Sequence, residues 1–203
     1  FIKTIKETIK QRKNPLIINY RMNAGMIPQD HWIQSKENRG RIIGEACHIF
    51  ELFCFLTDAV PTSIAVNSLH PIGDDLAPTD NVVTQLSMSD GSCCTLTYTS
   101  LGAKSLDKEY MEVFFDGKSI VMKDYKTLQG FGLPKGFDRT VRAADKGHDN
   151  LLYQFVQNAK MQDAQSPIPL NRIFMATKLS LIVDRLAKQG GGFEFDETLQ
   201  KAK

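Results

Sequence analysis

The sequence lacks the features that mark a membrane-spanning, nucleic-acid-binding or dinucleotide-binding chain. No segment approaches the roughly 18 to 20 consecutive apolar residues that cross a bilayer, since the longest candidate, residues 42–56, contains Gly44, Glu45, His48 and Glu51. Positive and negative side chains nearly balance, with 25 Lys and Arg against 23 Asp and Glu. Without a broad basic field, we expect neither nucleic acid nor a membrane as partner. No glycine-rich dinucleotide fingerprint follows a predicted strand.

Cysteine is also scarce. The four cysteines, at positions 47, 54, 93 and 94, form no C-x-x-C pair, which argues against a zinc knuckle. We expect reduced, mostly buried thiols in a cytoplasmic protein. The start of the chain has no apolar stretch typical of a secretory signal. It also has no initiator methionine, which we interpret as the sign of a piece of a longer protein.

What the sequence does contain is enough apolar material for one core. Its 203 residues are 42% hydrophobic and 24% charged, as expected of a single globular domain. Asp90-Gly91 and Asp116-Gly117 stand between β-forming segments, and each pair predicts a hairpin turn. Hairpins flanked by helices predict an α+β fold, with a predominantly antiparallel sheet and helices packed on one face.

The local patterns place these elements along the chain. Helices are predicted at residues 3–13, 41–56, 149–160 and 173–188, and strands at 16–22, 61–69, 81–88, 92–100, 110–115 and 119–122, with a weaker strand pattern at 125–128. The glycines at 190–192 are expected to end the last helix. The tail at 193–203 is expected to be weakly structured.

A polar stripe on the second predicted helix is the most informative feature. At about 100° per residue, Arg41, Glu45 and His48 share one narrow arc of an otherwise apolar helix. Buried polar groups need partners, so this arc is typical of a cleft wall, and Gly44 leaves space beside the imidazole. Histidine suits proton transfer near neutral pH. The plainer alternative is an i,i+4 ion pair of Arg41 with Glu45 and an interior, hydrogen-bonded His48.

Three other places carry weaker signals. Arg21 and Asn23 end the first predicted strand, where binding groups tend to lie, although solvated polar side chains are common there too. Trp32, in the following loop, has the chemistry to stack on a sugar or a nucleobase, or to anchor the loop. His148 stands at the start of a predicted helix, whose amides are able to receive an anion or simply begin the helix.

Several segments together resemble a known family. They are Asn-Tyr-Arg-Met-Asn-Ala-Gly at 19–25, His-Trp at 31–32, Gly-Arg-Ile-Ile-Gly-Glu-Ala-Cys-His at 40–48, Lys-Gly-His at 146–148 and Ser-Pro-Ile-Pro at 166–169. In this order they resemble the C-terminal domain of the Gfo/Idh/MocA oxidoreductases, in particular a branch with sugar and nucleotide-sugar dehydrogenases. The resemblance extends over nearly all of the chain.

The resemblance implies a division of labour between two domains. Residues 1–203 would form a single C-terminal domain for substrate binding and oligomerisation, and the N-terminal Rossmann domain that binds NAD or NADP would be missing. The complete protein would be an NAD(P)-dependent dehydrogenase acting on the CH–OH group of a sugar or nucleotide sugar. It would associate with further copies through the sheet face. The isolated chain would hold no cofactor and no metal, and would be inactive.

The resemblance also implies residue roles. His48 matches the family histidine and would share proton transfer with a lysine of the missing domain. The family aspartate four residues earlier is replaced by Gly44, and whether the adjacent Glu45 takes its place is open. The expected substrate-binding residues are Arg21, Asn23, Trp32, Arg41, Glu45 and His148.

Two other interpretations compete with this one. The chain is alternatively a non-catalytic oligomerisation or partner-binding α+β module, in which the polar stripe is only an ion-pair network. A zinc site from Cys47 and His48 is disfavoured, because adjacent residues on one helix cannot both face one ion.

Overall fold

One nine-stranded sheet runs through the molecule. The computed structural model describes residues 1–28, 30–35, 40–70, 77–161, 166–189 and 191–195. The strands are β1 (Ile17–Asn23), β2 (Pro61–Ser68), β3 (Val82–Met88), β4 (Cys93–Thr99), β5 (Glu109–Phe115), β6 (Lys118–Lys123), β7 (Thr127–Phe131), β8 (Arg139–Thr140) and β9 (Gly191–Glu194). The helices are α1 (Ile2–Ile9), α2 (Cys47–Thr57), α3 (His148–Ala159) and α4 (Leu170–Gln189).

The strand order confirms the predicted sheet. It runs β8-β7-β6-β5-β1-β4-β3-β2-β9, and every neighbouring pair is antiparallel except β1 with β4. Parallel strands need a long crossover, and here the chain between β1 and β4 contains α2, β2 and β3. The fold is therefore α+β with a predominantly antiparallel sheet.

Both predicted hairpin turns are present, and the turn between β5 and β6 shows why Asp-Gly favours them. Asp116 and Gly117 have φ values of 44° and 72°, and Phe115 pairs with Lys118 directly across them. Two consecutive positive φ angles are what a two-residue hairpin turn requires to match the strand twist, and Asp-Gly tolerates them well.

Alternation along the strands decides which sheet face carries the core. In β3 and β4 every second side chain is buried, including Leu86 and Leu96. These side chains join one hydrophobic cluster with Phe50 and Phe53 of α2 and the second half of α4. The opposite sheet face is open. In the described ranges, α3 differs from the other helices because none of its residues is buried.

Two differences from the sequence predictions are informative. Helix α1 ends at Ile9, short of the predicted residue 13. The prediction of a weakly structured tail is wrong at its start, because Gly191–Glu194 forms β9 on the edge of β2. The missing side chain of Gly192 permits this pairing, since a Cβ there would lie 3.1 Å from the carbonyl oxygen of Ile64. Residues 196–203 lie outside the described ranges.

No described helix combines the length and the apolarity that a membrane span requires.

Candidate functional site

The second predicted helix begins with a π-helical turn. Residues Ile42–Ala46 form this turn, and regular α-helix follows from Cys47. The turn is wider than an α-helical one, so the spacing of 100° per residue does not hold across it. Such turns are frequent at functional sites. Nothing lies within 4 Å of where a Cβ of Gly44 would be, so the helix surface is open there.

Arg41 lies at the start of this helix and points inward. Its side chain is 2% exposed, and its guanidinium donates from Nε to Glu45 Oε1 at 3.0 Å, from Nη1 to the Gly25 carbonyl at 2.6 Å and from Nη2 to the Ala24 carbonyl at 2.9 Å. The guanidinium also lies 5.5 Å from the ring centroid of Tyr98. Arg41 therefore ties the segment after β1 to the helix, and its ion pair with Glu45 is largely buried.

Glu45 connects this buried network to the surface. Its second oxygen, Oε2, lies 3.4 Å from the ammonium of Lys108. Burial acts to raise the pKa of Glu45, but the hydrogen bond and charge of Arg41, together with the charge of Lys108, outweigh it and lower that pKa. The carboxylate is therefore held in its ionised form.

The same carboxylate affects its buried neighbour. Burial, followed by the charge of Glu45, raises the pKa of Tyr98 far above the usual range. The Tyr98 ring lies on the covered face of β4 and stays neutral beneath the ion pair.

His48 follows Glu45 on the same helix and is exposed to solvent. Burial raises the pKa of Glu51, three residues further along the helix, against the opposing charges of Arg172 and His48. The alternative of an interior, hydrogen-bonded histidine does not describe this ring. The imidazole is free to meet a ligand or another domain that approaches the helix over Gly44.

An open cleft of about 430 Å³ lies beside the ion pair. It is lined by residues 23–26 at the end of β1, residues 104–108 of the loop before β5, and Asp124. The wall at Ala24 and Gly25 is the segment that Arg41 holds, and Lys108 of the facing wall reaches Glu45. His48 is not part of the cleft lining and lies just beyond Glu45 along the helix.

Asn23 holds the loop before β5, which forms one wall of the cleft. Its side-chain amide donates to the carbonyls of Ala103 at 2.8 Å and Leu106 at 3.2 Å. Its Oδ1 atom is buried without a hydrogen bond and lies against Gly102, where a Cβ would stand 2.0 Å away. Asn23 thus shapes the loop at 102–106, which has room for glycine alone at position 102.

The remaining predicted residues lie outside the cleft lining. Arg21 is on the open sheet face, donating to the Asp107 carbonyl at 2.9 Å and lying 5.7 Å from the Tyr110 ring centroid. Trp32 is exposed in a short 3-10 turn, with the His31 ring 5.6 Å away. His148 is exposed at the first residue of α3. The structure brings Asn23, Arg41 and Glu45 to one place; the substrate role of all six residues stays a prediction.

The sequence analysis missed a buried polar cluster next to the cleft. Glu109 accepts hydrogen bonds from the Tyr20 hydroxyl and the Lys146 ammonium, and its backbone N–H donates to Asp124 Oδ1 at 3.1 Å. Burial above all raises the pKa of Tyr20. A signal existed, because Glu109 occupies an inward position in the alternating pattern of β5, where a carboxylate needs partners.

Among the described residues, no group of three or more His, Cys, Asp or Glu side chains is arranged to hold a metal ion. The four cysteines are free thiols, with Cys54 and Cys94 buried.

Solved structures share this fold. A myo-inositol dehydrogenase from Lactobacillus casei, in complex with NAD(H) and myo-inositol, superposes with a TM-score of 0.69 at 14% identity, over 96% of this chain and 58% of that one. An oxidoreductase domain protein from Kribbella flavida gives a TM-score of 0.72 at 12% identity, over 97% and 63%. The WlbA dehydrogenase from Bordetella pertussis, in complex with NADH and UDP-GlcNAcA, gives 0.65 at 15% identity, over 96% and 60%.

These similarities confirm the fold that the sequence resemblance implied. At such low identity they establish the shared α+β architecture and nothing finer. The chain spans about three fifths of the length of the solved chains it matches. No model of a protein family matches the sequence, and no curated protein matches it.

The lowered pKa of Glu45 predicts a specific dependence of stability on acid. A carboxyl group with a folded pKa below its unfolded value contributes stability that is complete above the unfolded value and is lost as pH falls through the folded one. The wild-type chain should therefore have a higher free energy of unfolding than Glu45→Gln near neutral pH. That difference should shrink as the pH falls from about 5 to about 3.

Urea unfolding at a series of pH values measures this difference. Glu7→Gln is the matched control. Glu7 is exposed on α1, and its ion pair with Lys10, at 3.7 Å, lies on the surface, where such pairs contribute little stability. Its difference from the wild type should stay near zero at every pH. A Glu45→Gln difference that does not change across the acid range would contradict the assigned electrostatics.

Proposed function

We propose that residues 1–203 are the substrate-binding and assembly domain of an NAD(P)-dependent oxidoreductase of the Gfo/Idh/MocA family. Its reaction interconverts a secondary alcohol and a ketone of a sugar or nucleotide sugar. The observation that carries the proposal is the exposed His48, one turn after the open helix surface at Gly44 and on the same helix as Glu45, which pairs with Lys108 of the cleft lining. The fold shared with dehydrogenases solved with NAD(H), myo-inositol or UDP-GlcNAcA supports it.

The division of chemistry follows from what this chain contains. A nicotinamide ring, held by the preceding domain of the same polypeptide, supplies the hydride acceptor when NAD or NADP is bound. His48 takes the proton of the sugar hydroxyl while the C–H bond at that carbon breaks, and returns the proton to the ketone oxygen in the reverse direction. The helix surface at Gly44, one turn before His48, is exposed and unobstructed.

Arg41 acts in this scheme as a positioning residue. Each of the three nitrogen atoms of its guanidinium donates a hydrogen bond within the protein, and its side chain is 2% exposed. Its part is to fix the wall at residues 24–25 against the helix that carries His48. A displacement of a reacting group by about 1 Å reduces rates by about 100-fold, so this fixation matters.

Glu45 and Lys108 are two partly exposed charged groups at the cleft, and they form an ion pair at 3.4 Å. We propose that Glu45 accepts hydrogen bonds from sugar hydroxyls and that Lys108, with Lys104 of the cleft lining, donates them. In this way Glu45 takes over from the aspartate that Gly44 replaces. Trp32 and His148, both exposed, are proposed to contact the substrate in the complete protein, whereas Arg21 lies on the other face of the sheet.

A variant of His48 tests the catalytic role directly. In the complete enzyme, His48→Ala should lower kcat about 100- to 10,000-fold, because general acid–base catalysis contributes that range. The fold should be unaffected because the imidazole is exposed. Steady-state kinetics with the sugar and NAD or NADP measure the effect.

The control is His70→Ala. His70 is an exposed histidine after β2 that is neither part of the cleft lining nor on α2. It should retain wild-type kcat. Wild-type turnover by the His48→Ala variant of the complete enzyme would reject the catalytic role of His48.

Assembly is proposed to use the open face of the sheet. Ile17, Val83 and Phe114, from three strands of the central region, expose 53%, 49% and 37% of their surfaces on this face. An extended face with several exposed apolar side chains is typical of an interface between proteins. A second copy that packs its own sheet on this face would cover all three.

Charge substitutions on this face should break the assembly. Ile17→Lys and Val83→Lys should each reduce the wild-type oligomer to monomers in sedimentation velocity, because a buried unpaired ammonium opposes association. Val141→Lys is the control, since Val141 is 40% exposed in the segment after β8 and lies outside the sheet. Unchanged sedimentation of the two sheet variants, or a monomeric wild-type protein, would contradict this mode of assembly.

A further inference from the structure

Two side chains of β1 hold the loop that supplies residues 104–108 to the cleft. Asn23 donates from its amide to two carbonyls of this loop, and Arg21 donates from Nη1 to the carbonyl of Asp107 at 2.9 Å. Arg21 and Asn23 are two residues apart on one strand, so the alternation of side chains directs both to the same side of the sheet. The cleft wall at 104–108 therefore borders the open face of the sheet.

Arg21 is the more accessible of these two side chains. Asn23 is buried, whereas Arg21 is half-buried and its bond to the Asp107 carbonyl is exposed to water. Tyr110, the register partner of Arg21 on β5, has its ring centroid 5.7 Å from the guanidinium. An exposed hydrogen bond competes with water, and it becomes stronger when its surroundings exclude water. A cover over Arg21 and Tyr110 would therefore strengthen the bond to Asp107.

The loop has little else to fix its position. Residues 103–108 are all exposed, and segments without buried apolar contacts are the first to open locally. At the end of the loop, the Lys108 carbonyl accepts the backbone N–H of Asn23 at 2.7 Å, and the Lys108 ammonium reaches Glu45. The strength of the Arg21 bond therefore affects how firmly the two lysines of this wall, Lys104 and Lys108, are placed.

Arg21 lies in one row with a residue of the proposed assembly surface. It pairs with Thr97 of β4, and Thr97 pairs with Val83 of β3, which is 49% exposed on the same face. Neighbouring strands are about 4.8 Å apart, so Val83 lies about 10 Å from Arg21. A stable interface buries about 800 Å² on each partner, a patch much wider than this distance. A second copy that covers Val83 therefore covers Arg21 as well.

We propose that Arg21 is a positioning residue that couples assembly on the open face to the order of the cleft wall. A second copy that packs on this face excludes water from Arg21 and Tyr110, strengthens the bond to the Asp107 carbonyl and fixes residues 104–108. This inference rests on the proposed function, in which Lys104 and Lys108 bind the sugar and copies assemble through the open face. Because such coupling is reciprocal, a ligand that fixes this wall also favours assembly.

Hydrogen exchange of the complete polypeptide tests this coupling, with sedimentation velocity as the measure of assembly. In the assembled wild-type protein, the segment 101–109 should exchange at least about fivefold more slowly than in the monomeric Ile17→Lys variant, which is the lower end of ordinary couplings between sites. Ile17 suits this comparison because it is at the opposite end of β1, about 13 Å from Arg21 along the strand.

Arg21→Met tests the guanidinium itself. Methionine keeps a long apolar side chain but has no donor for the Asp107 carbonyl. At a protein concentration at which this variant is assembled, its segment 101–109 should exchange as fast as in the Ile17→Lys monomer. Lys123→Met is the matched control, because it removes one positive charge from the same row of the open face, where Lys123 pairs with Tyr110. The control should keep the wild-type protection.

Four results would overturn the inference while the catalytic proposal, which the kinetics of His48→Ala judge, stands. Equal exchange of segment 101–109 in the assembled wild type and the Ile17→Lys monomer would mean that assembly does not order the wall. Full protection in assembled Arg21→Met, or lost protection in Lys123→Met, would mean that the bond to Asp107 is not the link. An Arg21→Met variant that is monomeric at every concentration would make Arg21 an assembly contact only.

A fifth result concerns the proposed function itself. A wild-type polypeptide that is monomeric at every concentration would refute the proposed assembly on the open face, and the inference would fail with it.

Discussion

The buried guanidinium of Arg41 is the constraint on which the rest of the site depends. Moving a charged group out of water costs several kcal/mol, so such a group persists only where hydrogen bonds and an opposite charge compensate it. Here the compensation comes from two parts of the chain: the carbonyls of Ala24 and Gly25 after β1, and the carboxylate of Glu45 on the helix. The pairing locks these two segments together, and they carry the cleft wall and His48.

The helix that carries the Arg41–Glu45 pair is also part of the core, and the π-helical turn separates these two parts of it. Beyond the turn, Phe50 and Phe53 of α2 are fully buried against the sheet. Within it, Arg41 and Glu45 remain paired, while the following histidine faces solvent. One helix thus supplies packing on one side, a buried ion pair at its start and an exposed histidine between them.

Features that depend on near neighbours could be predicted from the sequence. The Asp-Gly turns set their hairpins through backbone preferences of two residues, and strand alternation identifies which side chains enter the core. The pairing of Arg41 with Glu45 could be predicted for the same reason, since two residues four apart stay close even across the π-helical turn.

Features that depend on distant partners could not be predicted. The spacing of polar residues along the helix does not predict that Arg41 points inward, because its acceptors are backbone carbonyls 16 and 17 residues earlier. The facing wall of the cleft comes from residues 104–108, which the pairing of β4 and β5 on either side of β1 brings beside the end of β1. The π-helical turn has no local sequence signature that distinguishes it from the α-helix that the periodicity predicts. Strand β9 could not be predicted either, because its glycines favour a flexible segment.

A crystal structure of the complete polypeptide with NAD(H) and a bound sugar tests the central claim most directly. The account predicts a ring nitrogen of His48 within about 2.6 to 3.2 Å of the hydroxyl on the carbon that faces the nicotinamide. It also predicts that Arg41 keeps its bonds to Ala24 and Gly25. A sugar held with its reacting hydroxyl out of hydrogen-bond reach of His48, or an Arg41 withdrawn from those carbonyls to bind the sugar, would contradict it.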